Sequence, residues 1–138
     1  MSFLVDTNVL SEVAKPRPDP KVAEWLRLNE QAMYVSTITV GEIRRGIELL
    51  PDEARKSQLQ AWFQSVCANM GGRILSFNTS TAHLWGQHKA MWDRSGMVVS
   101  SLDSQIAATA LRYGLTLVTR NEADFRGTGV KLLNPFAG

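Results

Sequence analysis

Only one cysteine, Cys67, occurs in the 138 residues, so an internal disulfide is excluded. One Cys and two His are also too few of the ligands that structural zinc prefers. The two histidines, His83 and His88, stand five apart on one expected helix and point roughly 140° apart, which disfavours a paired-histidine acid–base mechanism. No apolar run is long enough to cross a membrane. The N-terminus has no basic region followed by an apolar stretch, so a secretory signal is not expected and a reducing cytoplasm is the expected address. Charge is sparse as well. With 20% charged residues and a net charge of +2, the chain is neither disordered nor supercharged, and its mild positive excess permits a nucleic-acid partner without demanding one. Repeats, linkers and low-complexity segments are missing. What is present is 44% hydrophobic residues, enough for one domain over 1–138 with a real core.

Strand and helix signals alternate along the chain. The apolar run from Phe3 to Val5 reads as a buried strand, with a short helix from Thr7 to Ala14 stopped by Pro16 and Pro18. Asp19-Pro20 is an N-cap followed by a first-turn proline, and Val22, Trp25, Leu26 and Leu28 supply that helix with an apolar face. Met33 to Ile38 reads as a second strand. Thr39 to Leu50 then reads as a helix with Val40, Ile43, Ile47 and Leu50 on one stripe. Pro51-Asp52 opens a helix carrying Leu59, Trp62, Phe63 and Val66, ended by Gly71-Gly72. A short strand over Ile74 to Phe77 precedes a helix capped by Thr79 or Ser80 and running to about Arg94. Ser101 to Tyr113 is a helix ending at Gly114. Leu115 to Thr119 is a strand, Glu122 to Phe125 a short turn or helix, and Val130 to Leu133 a last strand. Strands separated by helices imply an α/β fold, a three-layer α/β/α domain with a central, mainly parallel sheet.

Four acids fall where such a sheet gathers its functional groups, at the carboxyl ends of strands. Asp6 ends the first strand. Glu42 and Asp103 lie in first turns of helices, and Asp124 follows the strand ending at Thr119. Brought to about 4 Å at an effective dielectric near 20, each like-charged pair costs roughly 4 kcal/mol. Such a cluster survives by binding protons or cations, and hard oxygen donors suit Mg²⁺ or Mn²⁺. Divalent ions polarise phosphate oxygens and activate water, so the pattern suits phosphodiester hydrolysis without a nucleophilic side chain. Ordinary capping remains the competing explanation. Thr39-Val40-Gly41-Glu42 and Ser100-Ser101-Leu102-Asp103 both have capping-box spacing, Asp6 can cap its own following helix, and Asp124 can be a solvated loop acid.

These residues resemble the motifs of PIN-domain nucleases. Leu4-Val5-Asp6-Thr7-Asn8-Val9-Leu10 is similar to the first motif. Ser36 to Glu42 with Arg45-Gly46 is similar to the second, and Asp103 with Ile106 to Ala110 to the third. Thr119-Arg120-Asn121-Glu122-Ala123-Asp124-Phe125 is similar to the fourth. The order and spacing agree over nearly the whole chain, and Leu133-Asn134-Pro135 resembles the ending of the FitB-like branch. The resemblance implies a VapC-type toxin of a toxin–antitoxin pair: an Mg²⁺- or Mn²⁺-dependent endoribonuclease, homodimeric, silenced by a cognate VapB-like antitoxin. It implies RNA products with 5′-phosphate and 3′-hydroxyl ends. By carry-over, Asp6 and Asp103 are direct metal ligands, with Glu42 completing the catalytic acids. Asp124 takes the fourth position, Asn121 supports it from behind, and Thr7 and Asn8 position the loop around Asp6.

Two rivals belong to other classes. An aspartyl-nucleophile phosphatase would use Asp6 covalently, but it needs a second Asp where this chain has Asn8. A catalytically weak or inactive module of the same fold would bind RNA or a partner protein, but all four acids are retained. Trp25, Trp62, Trp85 and Trp92 are expected in the core or a dimer interface rather than stacked on bases. Arg44, Arg45 and Arg120 are equally suited to substrate phosphate and to salt bridges.

Overall fold

A computed structural model describes residues 1–137. Five strands, β1 (Phe3–Val5), β2 (Met33–Ser36), β3 (Ile74–Leu75), β4 (Thr116–Val118) and β5 (Leu132–Leu133), form one sheet in the order β3-β2-β1-β4-β5. Every neighbouring pair is parallel. Six α-helices surround it: α1 (Thr7–Leu10), α2 (Pro20–Leu28), α3 (Thr37–Glu48), α4 (Glu53–Met70), α5 (Thr79–Arg94) and α6 (Ser101–Tyr113). The expected three-layer α/β/α architecture is therefore present, with a wholly parallel sheet.

Alternation along the strands divides the core in two. Phe3 and Val5 of β1 and Val118 of β4 face a cluster with Val9, Leu10, Val22, Leu26, Ile43, Ile47, Phe63 and Met70, from α1 to α4. Leu4 and Leu117 point the other way and pack with Trp92, Ile106, Ala107, Ala110 and Phe125, from α5, α6 and the turn after β4. Successive strand residues take opposite faces, so a strand buried on both faces reads as a continuous apolar run. The small residues Ala107, Ala108 and Ala110, all fully buried, let α6 lie close to the sheet.

Several boundaries differ from those the sequence predicts. β2 stops at Ser36, whose extended backbone and side-chain oxygen cap α3 by accepting the Ile38 amide at 3.0 Å. The β-branched run Thr37-Ile38-Thr39-Val40 is thereby drawn into the helix, an instance of packing overriding propensity. Thr39 is consequently not the cap, and Glu42 lies in the second turn of α3 rather than in a capping box. Asn78, rather than Thr79 or Ser80, caps α5; its side-chain oxygen accepts the Thr81 amide and hydroxyl, both at 3.1 Å. Leu28 is exposed, not part of the α2 core face, because α2 ends there and Asn29 turns the chain away. The strand over Ile74 to Phe77 shortens to two residues, and that over Val130 to Leu133 likewise.

Candidate active site

Asp6 ends β1 at the carboxyl edge of the sheet, between the neighbouring strands β2 and β4. Its main chain still belongs to the sheet, since its amide donates to the Val118 carbonyl at 2.9 Å. Its side chain caps α1: Oδ1 accepts the Thr7 amide at 2.8 Å. The other oxygen, Oδ2, accepts the Thr119 hydroxyl at 2.9 Å and the Asn8 amide group at 3.4 Å. Asp6 is only 5% exposed, so a carboxylate sits at the edge of the core with, among the described residues, no basic partner on either oxygen.

The electrostatics follow from that burial. The Asp6 carboxyl stands raised from 3.8 to about 6, with desolvation by burial the largest cause. Within that net shift, the Thr119 hydroxyl and the Thr7 amide act downward, and the charges of Asp103 and Glu42 act upward with the burial. Asp103, half-buried, is also raised, first by burial and then by the charge of Asp124, against a hydrogen bond with Ser100. Asp103 thus occupies the third position after the Ser100 cap, and the Ser100 side chain accepts its amide at 3.2 Å. Both the capping geometry and the acidic neighbourhood are therefore real for Asp103, as they are for Asp6.

Thr7 ties two acids together. Its amide binds Asp6, and its hydroxyl donates to Glu42 Oε1 at 2.9 Å, joining the start of α1 to α3. Asn8 binds Asp6 on one side, while its Oδ1 accepts the Arg120 amide at 3.0 Å and its Nδ2 reaches the Thr119 hydroxyl at 3.4 Å. Asn121 meets this network through its backbone amide, which donates to Thr119 Oγ1 at 3.1 Å; its side chain is not the contact. Asp124 lies on the 3-10 turn Glu122–Phe125, exposed, and reaches the other acids through its charge on Asp103. Charge thus links the four acids in sequence: Glu42 and Asp103 act on Asp6, and Asp124 acts on Asp103.

Thr119 is the residue that the sequence reading passes over. Its signal was present: a short polar side chain closing an apolar strand, the same place that Asp6 holds in β1. It is fully buried and engages Asp6, Asn8 and Asn121. The histidines stand apart. His88 stacks on the buried Trp92 ring with centroids 5.5 Å apart, and His83 is exposed. Trp25 packs edge-on against Phe3 at 5.0 Å, and Trp85 donates to the buried Ser104 hydroxyl at 2.8 Å, so these tryptophans are structural. Arg44 pairs with Glu48 at 2.8 Å.

The donor set suits a hard divalent cation: it is all oxygen, and the buried Asp6 carboxylate is penalised by its neighbours' charges until a cation offsets them. Among the described residues, however, no three His, Cys, Asp or Glu side chains close around a single point. The acids form an open rim rather than a finished cage. Mg²⁺ commonly binds in that way, through one or two carboxylates with waters retained.

The PIN domain family model matches residues 3–131 of the chain. Toxin FitB of Neisseria gonorrhoeae is 36% identical over 136 residues, covering 97% of this chain and 98% of the relative. VapC ribonuclease Y4jK of Sinorhizobium fredii is 33% identical and covers 97% of both. Among solved structures, the crystal structure of FitAcB from Neisseria gonorrhoeae superposes with a TM-score of 0.92 at 35% identity, over 99% of each chain.

Proposed function

This chain belongs to the PIN-domain family, and from that premise we propose that it is the endoribonuclease toxin of a toxin–antitoxin pair. The observation that carries the reading is the state of Asp6. A buried carboxylate, raised to about 6 and flanked by the charges of Glu42 and Asp103, is costly for folding and is suited to a cation-assisted site. Asp6 and Asp103 would hold an Mg²⁺ or Mn²⁺ ion, with Glu42 and Asp124 completing the acidic rim. When bound, such an ion supplies Lewis acidity toward a phosphate oxygen and lowers the pKa of water.

The chain's own residues do the rest. Thr119, Thr7 and Asn8 fix the Asp6 carboxylate, so both its oxygens hold direction before substrate arrives. Thr7 orients Glu42 toward the same rim, where its carboxylate can accept a proton from the attacking water. Preset groups need no reorganisation at the moment of reaction. Single-stranded RNA fits this site best, because its splayed backbone can bring one phosphate to a narrow rim.

The partner assignment has its own support. The FitAB and VapBC structures that resemble this chain are toxin–antitoxin complexes. A groove beside Thr7 and Glu42, floored by Ile43, Ile47, Leu59 and Trp62, gives an antitoxin an apolar seat next to the acids. The toxin is assigned as a homodimer. The decisive experiment is chelation of the purified protein, followed by refilling with Mg²⁺ or Mn²⁺ and incubation with RNA. Cleavage that returns with the ion and is absent in Asp6→Asn supports the assignment. Metal-independent cleavage, or none with either ion, overturns it.

A further inference from the structure

Arg120 stands out among the cations because both its main chain and its side chain are held. Its amide donates to Asn8 Oδ1 at 3.0 Å, and Asn8 in turn binds Asp6. Its carbonyl accepts the Asn134 side chain at 3.3 Å. Its guanidinium lies 4.6 Å from the centre of the Phe136 ring. That ring is itself fixed: the Phe136 amide donates to Asn134 Oδ1 at 2.9 Å, and its carbonyl accepts Lys21 Nζ at 2.7 Å. The last turn of the chain is therefore folded back as a platform under one arginine.

The charge on that platform is unspent. Arg120 is exposed and has no carboxylate within 4.0 Å among the described residues. The acid whose field it does reach, the buried Glu12, is already paired with Lys15 at 2.8 Å and accepts the Asp19 amide at 2.9 Å. Lys21 is likewise held by a carbonyl rather than by an acid. An exposed guanidinium held over an aromatic ring keeps N–H donors of the kind that match a phosphate.

We infer that Arg120, seated on Phe136, is a phosphate-binding side chain that grips the RNA backbone beside the acidic rim. This rests on the nuclease reading for its substrate, and it assigns the C-terminal turn a task in binding. The acids repel the polyanion that they must cut, and a cation on the segment whose main chain is tied through Asn8 to Asp6 supplies an attraction that opposes that repulsion.

The test is fluorescence anisotropy with a short labelled single-stranded RNA and chelated protein over a range of salt, so that binding is read without cleavage. Arg120→Ala is expected to weaken binding about tenfold and to lower the slope of log affinity against log salt by about one. Arg120→Lys should keep the slope and lose part of the affinity, and Phe136→Leu should do the same, since each retains the charge but not the seated plane. Superimposable binding curves for wild type and Arg120→Ala overturn the assignment, as does a loss of affinity with an unchanged slope. If Arg120→Ala does not fold, unaltered binding by both Arg120→Lys and Phe136→Leu overturns it. Wild-type protein that binds RNA but never cleaves it refutes the nuclease reading and leaves the clamp standing; wild-type protein that binds no RNA refutes the clamp.

Discussion

The Thr119 hydroxyl donates to the Asp6 carboxylate at 2.9 Å, across 113 residues of chain. It joins the carboxyl ends of two adjacent parallel strands, β1 and β4, and it favours the ionised form of an acid that burial pushes toward protonation. Replacing Thr119 with Val keeps the shape and removes the donor. The Asp6 carboxyl should then rise further above about 6, and the acidic limb of the pH–rate profile should move to higher pH. Loss of one hydrogen bond to a charged group predicts a fall of about tenfold in rate at neutral pH. An unmoved acidic limb would remove Thr119 from the site.

Asp6 should cost the cation-free protein stability. Its folded pKa, about 6, exceeds its unfolded value of 3.8, so the folded state holds the proton more tightly. Its favourable contribution is complete below pH 3.8 and disappears as pH rises through 6. By pH 7 the difference amounts to roughly 3 kcal/mol. In chelator at pH 7, Asp6→Asn should therefore be more stable than wild type by at least about 1 kcal/mol in urea unfolding, while losing all cleavage. Adding Mg²⁺ or Mn²⁺ should stabilise wild type and leave the variant nearly unchanged. A variant less stable than wild type under chelation contradicts this.

The acids should not be equivalent. Asp6 is buried and Asp103 half-buried, whereas Asp124 is exposed and acts on Asp103 through its charge alone. Asp6→Asn and Asp103→Asn should each lower single-turnover cleavage by on the order of a thousandfold or more, the scale of losing a transition-state electrostatic contact. Asp124→Asn should cost only about tenfold, the scale of a weakened neighbouring charge. Equal losses at all three positions would show that Asp124 is held as tightly as the others during the reaction.

Gly127 offers a test of the scaffold behind the fourth motif. Its φ of +85° is one that L side chains avoid, and a Cβ there would stand 2.8 Å from Met97 Cε. The flexible end of Met97 can move aside, so the backbone conformation sets most of the cost. Gly127→Ala should destabilise by about 1–2 kcal/mol, seen as a lower urea midpoint with an unchanged slope. A neutral result would mean that the turn after Phe125 relaxes freely.

Much of the site was legible one strand at a time. An Asp closing an apolar run, Ser100 three residues before Asp103, and Gly114 after Tyr113 are local signals, and the structure uses them locally. The second motif was less legible. A stretch of β-branched residues from Thr37 to Val40 favours a strand by itself, and the buried Ser36 cap turned it into helix, carrying Glu42 one turn deeper than its spacing suggested. The bond between Thr7 and Glu42 depends on that placement and could not be read from either segment.

By itself the sequence determined the order of strands and helices, the parallel sheet, and the short list of acids at strand ends, because apolar periodicity and capping act over a few residues. Only the folded molecule decided which of those acids is desolvated, which threonine holds it, and that Arg120 is seated on Phe136. Those properties depend on groups separated by a hundred residues or more, such as Asp6 and Thr119 or Lys21 and Phe136, and no local pattern encodes the distance between them.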